Sequence, residues 1–221
     1  SSQNEQDSRF YGKFAMIPIL EPSTQQEAYD IMPYAFSLSE ELKLPVLLRV
    51  VTRLAHSRAG VAVGQAQPQN PLHLDNERTH WVLLPGNARR QYASLVEKHP
   101  RLLASSEKSP YNKSVLRKQK SKLGIIACGI AYNYIMENQP GENAFPVLKI
   151  SQYPIPETLI KELASQCESL LIAEDGQPLV EEQVKSLLGS NYPIKGRLTG
   201  DLPRMGELTP DSVGEALGIK Q

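Results

Sequence analysis

Between Leu123 and Gly189 the chain alternates strand-like and helix-like segments. LGIIACG is an apolar run ending in glycine and is followed by a helix through Tyr134. VLKI (Val147 to Ile150) precedes the helix PETLIKELASQ, and SLLIAEDG precedes the helix QPLVEEQVKSLLG. Parallel strands need a long crossover that returns over one face of the sheet, usually a helix. Short apolar runs without polar alternation are strands buried on both faces. The pattern therefore predicts an α/β fold with a mostly parallel sheet covered on both sides.

The first third of the chain has a smaller version of this pattern. PILEPSTQQEAYDIMPYAFSLSEELKLPVLLRVV reads as strand, helix and strand. Ser23 serves as N-cap with Gln26 three residues on, and Ala28, Ile31, Met32, Ala35, Phe36 and Leu42 fall on one helical face. Pro33 within that stripe predicts a kink or short break. The β-branched run from Val46 to Val51 predicts a buried strand. One such crossover leaves a sheet edge and a face uncovered. Its cover is the second unit, the helix between the two, or a second copy of the chain.

Three segments follow: residues 1–62, a connector over 63–122, and an α/β unit over 123–221. Within the connector, GQAQPQNP has linker chemistry, and NARRQYASLVEKH (87–99) is an amphipathic helix capped by Asn87. The basic stretch over 105–122 reads as a solvated connector.

Charge narrows the function. Lys plus Arg and Asp plus Glu balance at 24 each among 221 residues, so no net field favours a nucleic acid or an anionic membrane. No apolar run approaches the roughly 20 residues that span a bilayer. The two cysteines, Cys128 and Cys167, lack CxxC spacing, which argues against a disulfide framework or a cysteine-rich metal site and suits a reducing cytoplasm.

Several residues carry competing readings. Cys128 sits at a strand-to-helix turn with no histidine nearby in sequence, so a buried structural cysteine outweighs a nucleophile. In IAEDGQP, Glu174 and Asp175 suggest magnesium ligands. The glycine that precedes the acids in the magnesium-diphosphate motif of thiamine enzymes is missing, however, and Asn191 follows too soon. The two acids read instead as a strand end opening a helix, where negative charge suits the dipole. His56, between Arg53 and Arg58, lies just past a strand end, where α/β proteins place ligands, and the arginines suit a carboxylate or phosphate. A solvated loop accounts for them equally well.

The chain opens on SSQNEQDSRFYGKF, a polar patch that can be buried only if its hydrogen bonds find partners. This run, together with LPVLLRVVTRLAHSR, VLLPGNARR and GELTPDSVGEALG in order, resembles the alpha subunits of indolepyruvate:ferredoxin oxidoreductases. The resemblance implies part of a thiamine-pyrimidine-type domain followed by a transketolase C-terminal-like domain. It implies an enzyme that converts aryl 2-oxoacids to acyl-coenzyme A, uses thiamine diphosphate, magnesium and iron-sulfur clusters, and works with ferredoxin and a beta subunit. It makes Ser2, Gln3, Asn4, Glu5, Gln6 and Asp7 candidate site-lining residues, with Arg53 and His56 as weaker ones and no metal ligands. The diphosphate domain and the cysteine-rich tail of that family have no counterpart here, so the chain is expected to be a section of such an enzyme, inert alone. The alternative is a stand-alone α/β ligand-binding or regulatory module, suggested by Gly129 and Gly176 after their strands.

Overall fold

The computed structural model describes residues 6–117, 119–139, 141 and 145–219. Strand β1 (Ile19–Leu20) and strand β2 (Leu47–Leu48) flank helix α2 (Gln25–Leu42), after a first helix, α1 (Arg9–Ala15). Helix α3 (Thr52–His56) follows β2, and the connector holds α4 (Arg78–Trp81), α5 (Pro85–Glu107) and β3 (Lys113–Val115). The remainder runs β4 (Ser121–Cys128), α6 (Ala131–Glu137), β5 (Val147–Ile150), β6 (Gln152–Tyr153), α7 (Glu157–Ser165), β7 (Cys167–Ala173), α8 (Leu179–Leu188), β8 (Ile194–Lys195) and α9 (Pro210–Ala216).

The larger sheet has the order β3-β5-β4-β7-β8, with β3 antiparallel and the other pairings parallel. In β4 the alternation of side chains splits the core in two. Ile126 and Cys128 face Leu148, Ile150, Leu170 and Ile172 under α7 and α8, while Ile125 and Ala127 face Val147, Leu171 and Ala173 under α6 and α9. Both faces are dry, which is why these strands read as continuous apolar runs. The alternation predicted from Leu123 onward is the architecture observed.

The smaller sheet has the order β2-β1-β6. β6 begins two residues after β5 ends, so the chain leaves the large sheet at Ile150 and pairs antiparallel with β1 at Gln152 and Tyr153. The Glu21 amide donates to the Ser151 carbonyl at the crossing point, 2.7 Å away. One edge of the amino-terminal crossover is thus covered by the second unit. Part of its helix face is covered by α5, where Leu102 packs against Leu38 and Leu42.

Several local expectations need correction. α2 runs unbroken through Pro33, and its N-cap is Thr24, whose hydroxyl accepts from the Glu27 amide at 3.1 Å. Ser23 instead donates its amide and hydroxyl to the Glu27 carboxylate. The Val46–Val51 strand shrinks to Leu47–Leu48 and is half-buried, because β2 is an edge with nothing on its outer side among the described residues. The connector helix begins at Pro85, a position that suits proline, and continues past Pro100 to Glu107, well beyond the 87–99 span. Asn87 does not cap it and donates its side-chain amide to the Val82 carbonyl. Nor is 105–122 a solvated connector. β3 pairs with β5, Ser106 and Asn112 are buried, and Asn112 Oδ1 accepts from the amides of Ser151 and Gln152 at 2.8 and 2.9 Å. Polar composition concealed this segment because its buried groups bond backbone.

Candidate functional site

β1, β2, β4 and β7 all end at one joint. Their C-terminal ends present Glu21, Arg49, Gly129 and Glu174, and Asp7 and Arg9 enter from the amino-terminal segment. A charge just after a buried strand cannot stay dry without a partner, so each of these residues had to find one.

Arg9, fully buried, is the hub. Its Nε donates to both Asp7 oxygens at 3.0 and 3.1 Å. Its Nη2 donates to Asp7 Oδ2 at 2.5 Å and to the carbonyls of Asp175 and Gln177 at 3.2 and 2.9 Å. Nη1 pairs with Glu174 at 2.9 Å and lies 3.4 Å from the Tyr153 hydroxyl and 3.8 Å from Glu21. Arg49 forms a second clamp. It is bonded to Glu21 through Nη1 and to the Asp175 carbonyl through Nη2 at 2.8 Å, with Nε 3.4 Å from Asp7. Tyr153 donates its hydroxyl to Glu21 at 2.6 Å.

Glu174 has a double duty. Besides pairing with Arg9 it accepts the amides of Val180 and Glu181 at 3.0 and 2.9 Å, capping α8. The expected strand-end acid opening a helix is thus present. Asp175 accepts the Leu208 amide at 3.1 Å and lies 3.6 Å from Arg197, which ties down the loop before α9.

Burial and pairing pull the titrating groups in opposite directions. Burial pushes the Asp7 carboxyl up, but its bonds to Arg9 and the charges of Arg9 and Arg49 outweigh that and hold it below the usual range. At Glu174 burial prevails over Arg9 and the two capping amides, and the carboxyl is raised. Burial lifts the Tyr153 hydroxyl and the Cys128 thiol well above their ordinary values. Cys128 is therefore a structural core residue, since a nucleophile needs a lowered pKa.

Two strand-end glycines make the joint tight. Gly129 has φ +51°, and a Cβ there would lie 2.6 Å from Glu21 Cγ; Gly176 has φ +100°, and a Cβ there would lie 2.6 Å from Asp7 Oδ2. The space that suggested a ligand crevice is filled by carboxylates of the same chain, which removes the motive for a stand-alone module. A second tie lies nearby. Buried Lys149 donates to both Glu27 oxygens at 2.6 and 2.7 Å and sits 5.1 Å from the Tyr132 ring centroid.

Of the predicted site residues, Ser2, Gln3, Asn4 and Glu5 lie outside the described residues. Gln6 is exposed where the chain leaves the joint, and Asp7 is buried within it. Arg53 and His56 stand apart on α3. Arg53 is 3.5 Å from Glu207 and 5.8 Å from the Tyr134 ring centroid, and His56 is exposed. Arg58 is exposed too. Sequence reasoning missed Arg9, Glu21 and Arg49. The available signal was position: Glu21 and Arg49 directly follow the apolar strand runs.

These residues do not fit the cofactors implied by the family resemblance. A diphosphate and its magnesium need uncommitted oxygen ligands, yet the carboxylates of Asp7, Glu21 and Glu174 each face an arginine. No group of three His, Cys, Asp or Glu among the described residues is arranged to hold a metal ion. Beside the network a groove of about 520 Å³ shares Ile19 and Tyr153 as walls and is otherwise lined by both apolar residues, such as Met16 and Leu103, and polar ones, among them Lys13, His99, Glu157 and Glu182.

No protein-family model matches the chain. Individual relatives do. The indolepyruvate oxidoreductase subunit IorA of Methanothermobacter marburgensis is 38% identical over 231 aligned residues that take in all of this chain. The chain is homologous to IorA along its whole length. The IorA subunits of Archaeoglobus fulgidus and Thermococcus kodakarensis are 37% and 36% identical, over 100% and 98% of the chain. The chain spans just over a third of the length of these relatives, between 35% and 37%. Among solved structures, a split-gene transketolase overlaps 92% of the chain at TM-score 0.47 and 15% identity, too low to add to the fold assignment, which rests on strand order. No helix of the described residues is long and apolar enough to cross a membrane.

Proposed function

We propose that this chain is a section of the alpha subunit of an indolepyruvate:ferredoxin oxidoreductase, in which it joins the polar run ending at Asp7 to the α/β unit behind it. The observation that carries the reading is the 38% identity to an IorA subunit in an alignment that takes in the full chain. The whole enzyme would oxidatively decarboxylate indolepyruvate and related aryl 2-oxoacids, pass the acyl group to coenzyme A and reduce ferredoxin, in the cytoplasm and together with a beta subunit. Thiamine diphosphate supplies the carbanion-stabilising chemistry when bound. Its diphosphate, its magnesium and the iron-sulfur clusters would be held by polypeptide other than the residues described above.

Within this reading the large-sheet unit is scaffold. Its strand ends, the usual ligand position of an α/β sheet, are given over to anchoring Asp7 and Arg9. Residues 2–7 remain candidate site-lining groups through the resemblance, with Asp7 at the buried end of the run. Exposed Arg53 and His56 remain weaker candidates, available only to a partner surface or substrate approaching α3. The domain division at about residues 62 and 122 is part of the same reading.

The test is an assay with indolepyruvate, coenzyme A, thiamine diphosphate and a low-potential redox dye. The 221-residue chain alone is expected to give no turnover, and the same sequence within the longer subunit, combined with the beta subunit, is expected to be active. Turnover by the chain alone would overturn the reading.

A further inference from the structure

The joint joins two things that general chemistry would keep apart. On one side is the end of the polar run, where Gln6 is exposed. On the other is a set of parallel strand ends whose left-handed Gly176 leaves no room for a side chain of its own. Arg9 touches both. Two residues after Asp7, it holds that carboxylate through Nε and Nη2 and spends the rest of its donors on Glu174, the carbonyls of Asp175 and Gln177, and the Tyr153 hydroxyl. Asp7 completes the circuit by accepting the Gln177 amide at 3.0 Å and the Arg9 amide at 3.0 Å.

We propose that Arg9 is a positioning residue: it clamps Asp7 onto the β7 strand end and thereby fixes where the polar run enters the joint. A generic buried counter-ion would need charge only. Here the planar fork of the guanidinium matters, because its donors reach a carboxylate on one edge and two carbonyls and a second carboxylate on the others. An ammonium keeps the charge but has three donors on one atom and cannot span these acceptors. The catalytic consequence rests on the function proposed above; the positioning itself does not.

The experiment is amide hydrogen exchange on the 221-residue chain and its Arg9→Lys variant. The Arg9 and Gln177 amides, both donors to Asp7, are expected to exchange about 10- to 100-fold faster in the variant, the range for losing a hydrogen bond to a charged partner. Those of Ile126 and Leu171 in the large sheet should keep their protection. Should Arg9→Lys not fold, Asp7→Asn, which leaves Arg9 in place, is expected to release the Gln177 amide in the same local way. Unchanged protection at Gln177 in a folded variant would overturn the proposal. So would loss spread evenly over the large sheet, or failure of both variants to fold, since Arg9 would then be a general stabiliser. In the longer enzyme, Arg9→Lys is expected to lower kcat about 100-fold with KM nearly retained, the cost of misplacing reacting groups. An inactive parent enzyme would sink the functional reading and leave the exchange result standing.

Discussion

The two sheets of this molecule are held together by different means. The large sheet is closed by apolar matter on both faces: Ile125, Ile126, Leu148, Leu170, Leu171 and Ile172 are all fully buried, and each packs under a helix. The small sheet has two-residue strands, and its third strand is borrowed from the chain that has just left the large one. Ile19 and Leu47 reach into the core of the large sheet, but the strand ends themselves are tied by polar contacts, through Asp7, Arg9, Glu21 and Arg49 against Glu174 and Asp175. Apolar contact is tolerant of small shifts, whereas a buried ion network is all or nothing. Removing one member strands a charge, which costs more than the intact pair contributes.

The contrast is broken most severely by truncating one partner on each side. Arg9→Met is expected to cost about 3–5 kcal/mol, since it leaves Asp7 and Glu174 buried without their common counter-ion. Leu171→Ala, in the dry core of the large sheet, should cost about 2–5 kcal/mol through lost transfer energy and a cavity. The difference lies in rescue. Replacing Asp7 and Glu174 by neutral isosteres in the Arg9→Met background should return much of the loss, because apolar or neutral replacements of a buried ionic set are often tolerated. No such second change rescues Leu171→Ala. Denaturant unfolding of the three variants checks this, and absence of rescue would mean that the network's value lies in packing.

This difference also explains what could be read from the sequence. The large sheet was legible because each strand carries its own signal: an apolar run buried on both faces, followed by a helix with its own stripe. The small sheet was legible only as a crossover, since Ile19–Leu20 is too short for any periodicity and β6 hides in the two residues after VLKI. The network was illegible as a network. The partners of Arg9 lie up to 168 residues away, and nothing local at RFYGKF announces Glu174 or the Gln177 carbonyl. Asp7 entered the candidate set through family resemblance and Glu174 through strand-end chemistry, but no sequence argument joined them. Pro33 misled in a simpler way: tertiary packing of Leu38, Leu42 and Leu102 carries α2 through a proline that local propensity would have used as a stop, and α5 likewise runs on through Pro100.

A milder perturbation, acid, should separate two members of the network by sign. The folded-state pKa of Asp7 is lowered, so its contribution is present above the unfolded value of about 3.9 and is lost as pH falls through the folded one. The folded-state pKa of Glu174 is raised, so its ionisation costs stability as pH rises past the unfolded value of about 4.3, and protonation returns it. Asp7→Asn should therefore flatten the acid limb of the stability curve below about pH 4. Glu174→Gln should instead change the limb above about pH 4, in the opposite sense. Equal curves for the two variants would show that the pair titrates as one unit.

The gentlest way to sharpen the comparison is to cut the chain between the two units. Residues 57–77 are almost wholly exposed and form no helix or strand, so a single protease site inserted near Gln67 should be cleaved without loss of secondary structure. The halves should then elute together. They share the β1–β6 ladder, the Arg9 and Arg49 clamps, the Lys149–Glu27 pair and the α2–α5 contact, none of which uses the exposed stretch over 57–77. What cleavage does change is the order of the reaction: folding becomes an association, so the melting temperature of the nicked protein should fall on dilution while that of the intact chain stays fixed. Light scattering of the intact chain at the same concentrations controls for self-association through the open β2 edge. If the halves part at concentrations where the intact chain is folded, the ion network adds less than the tether does. The amino-terminal unit would then depend on the connector, rather than on the strand ends, to hold its place.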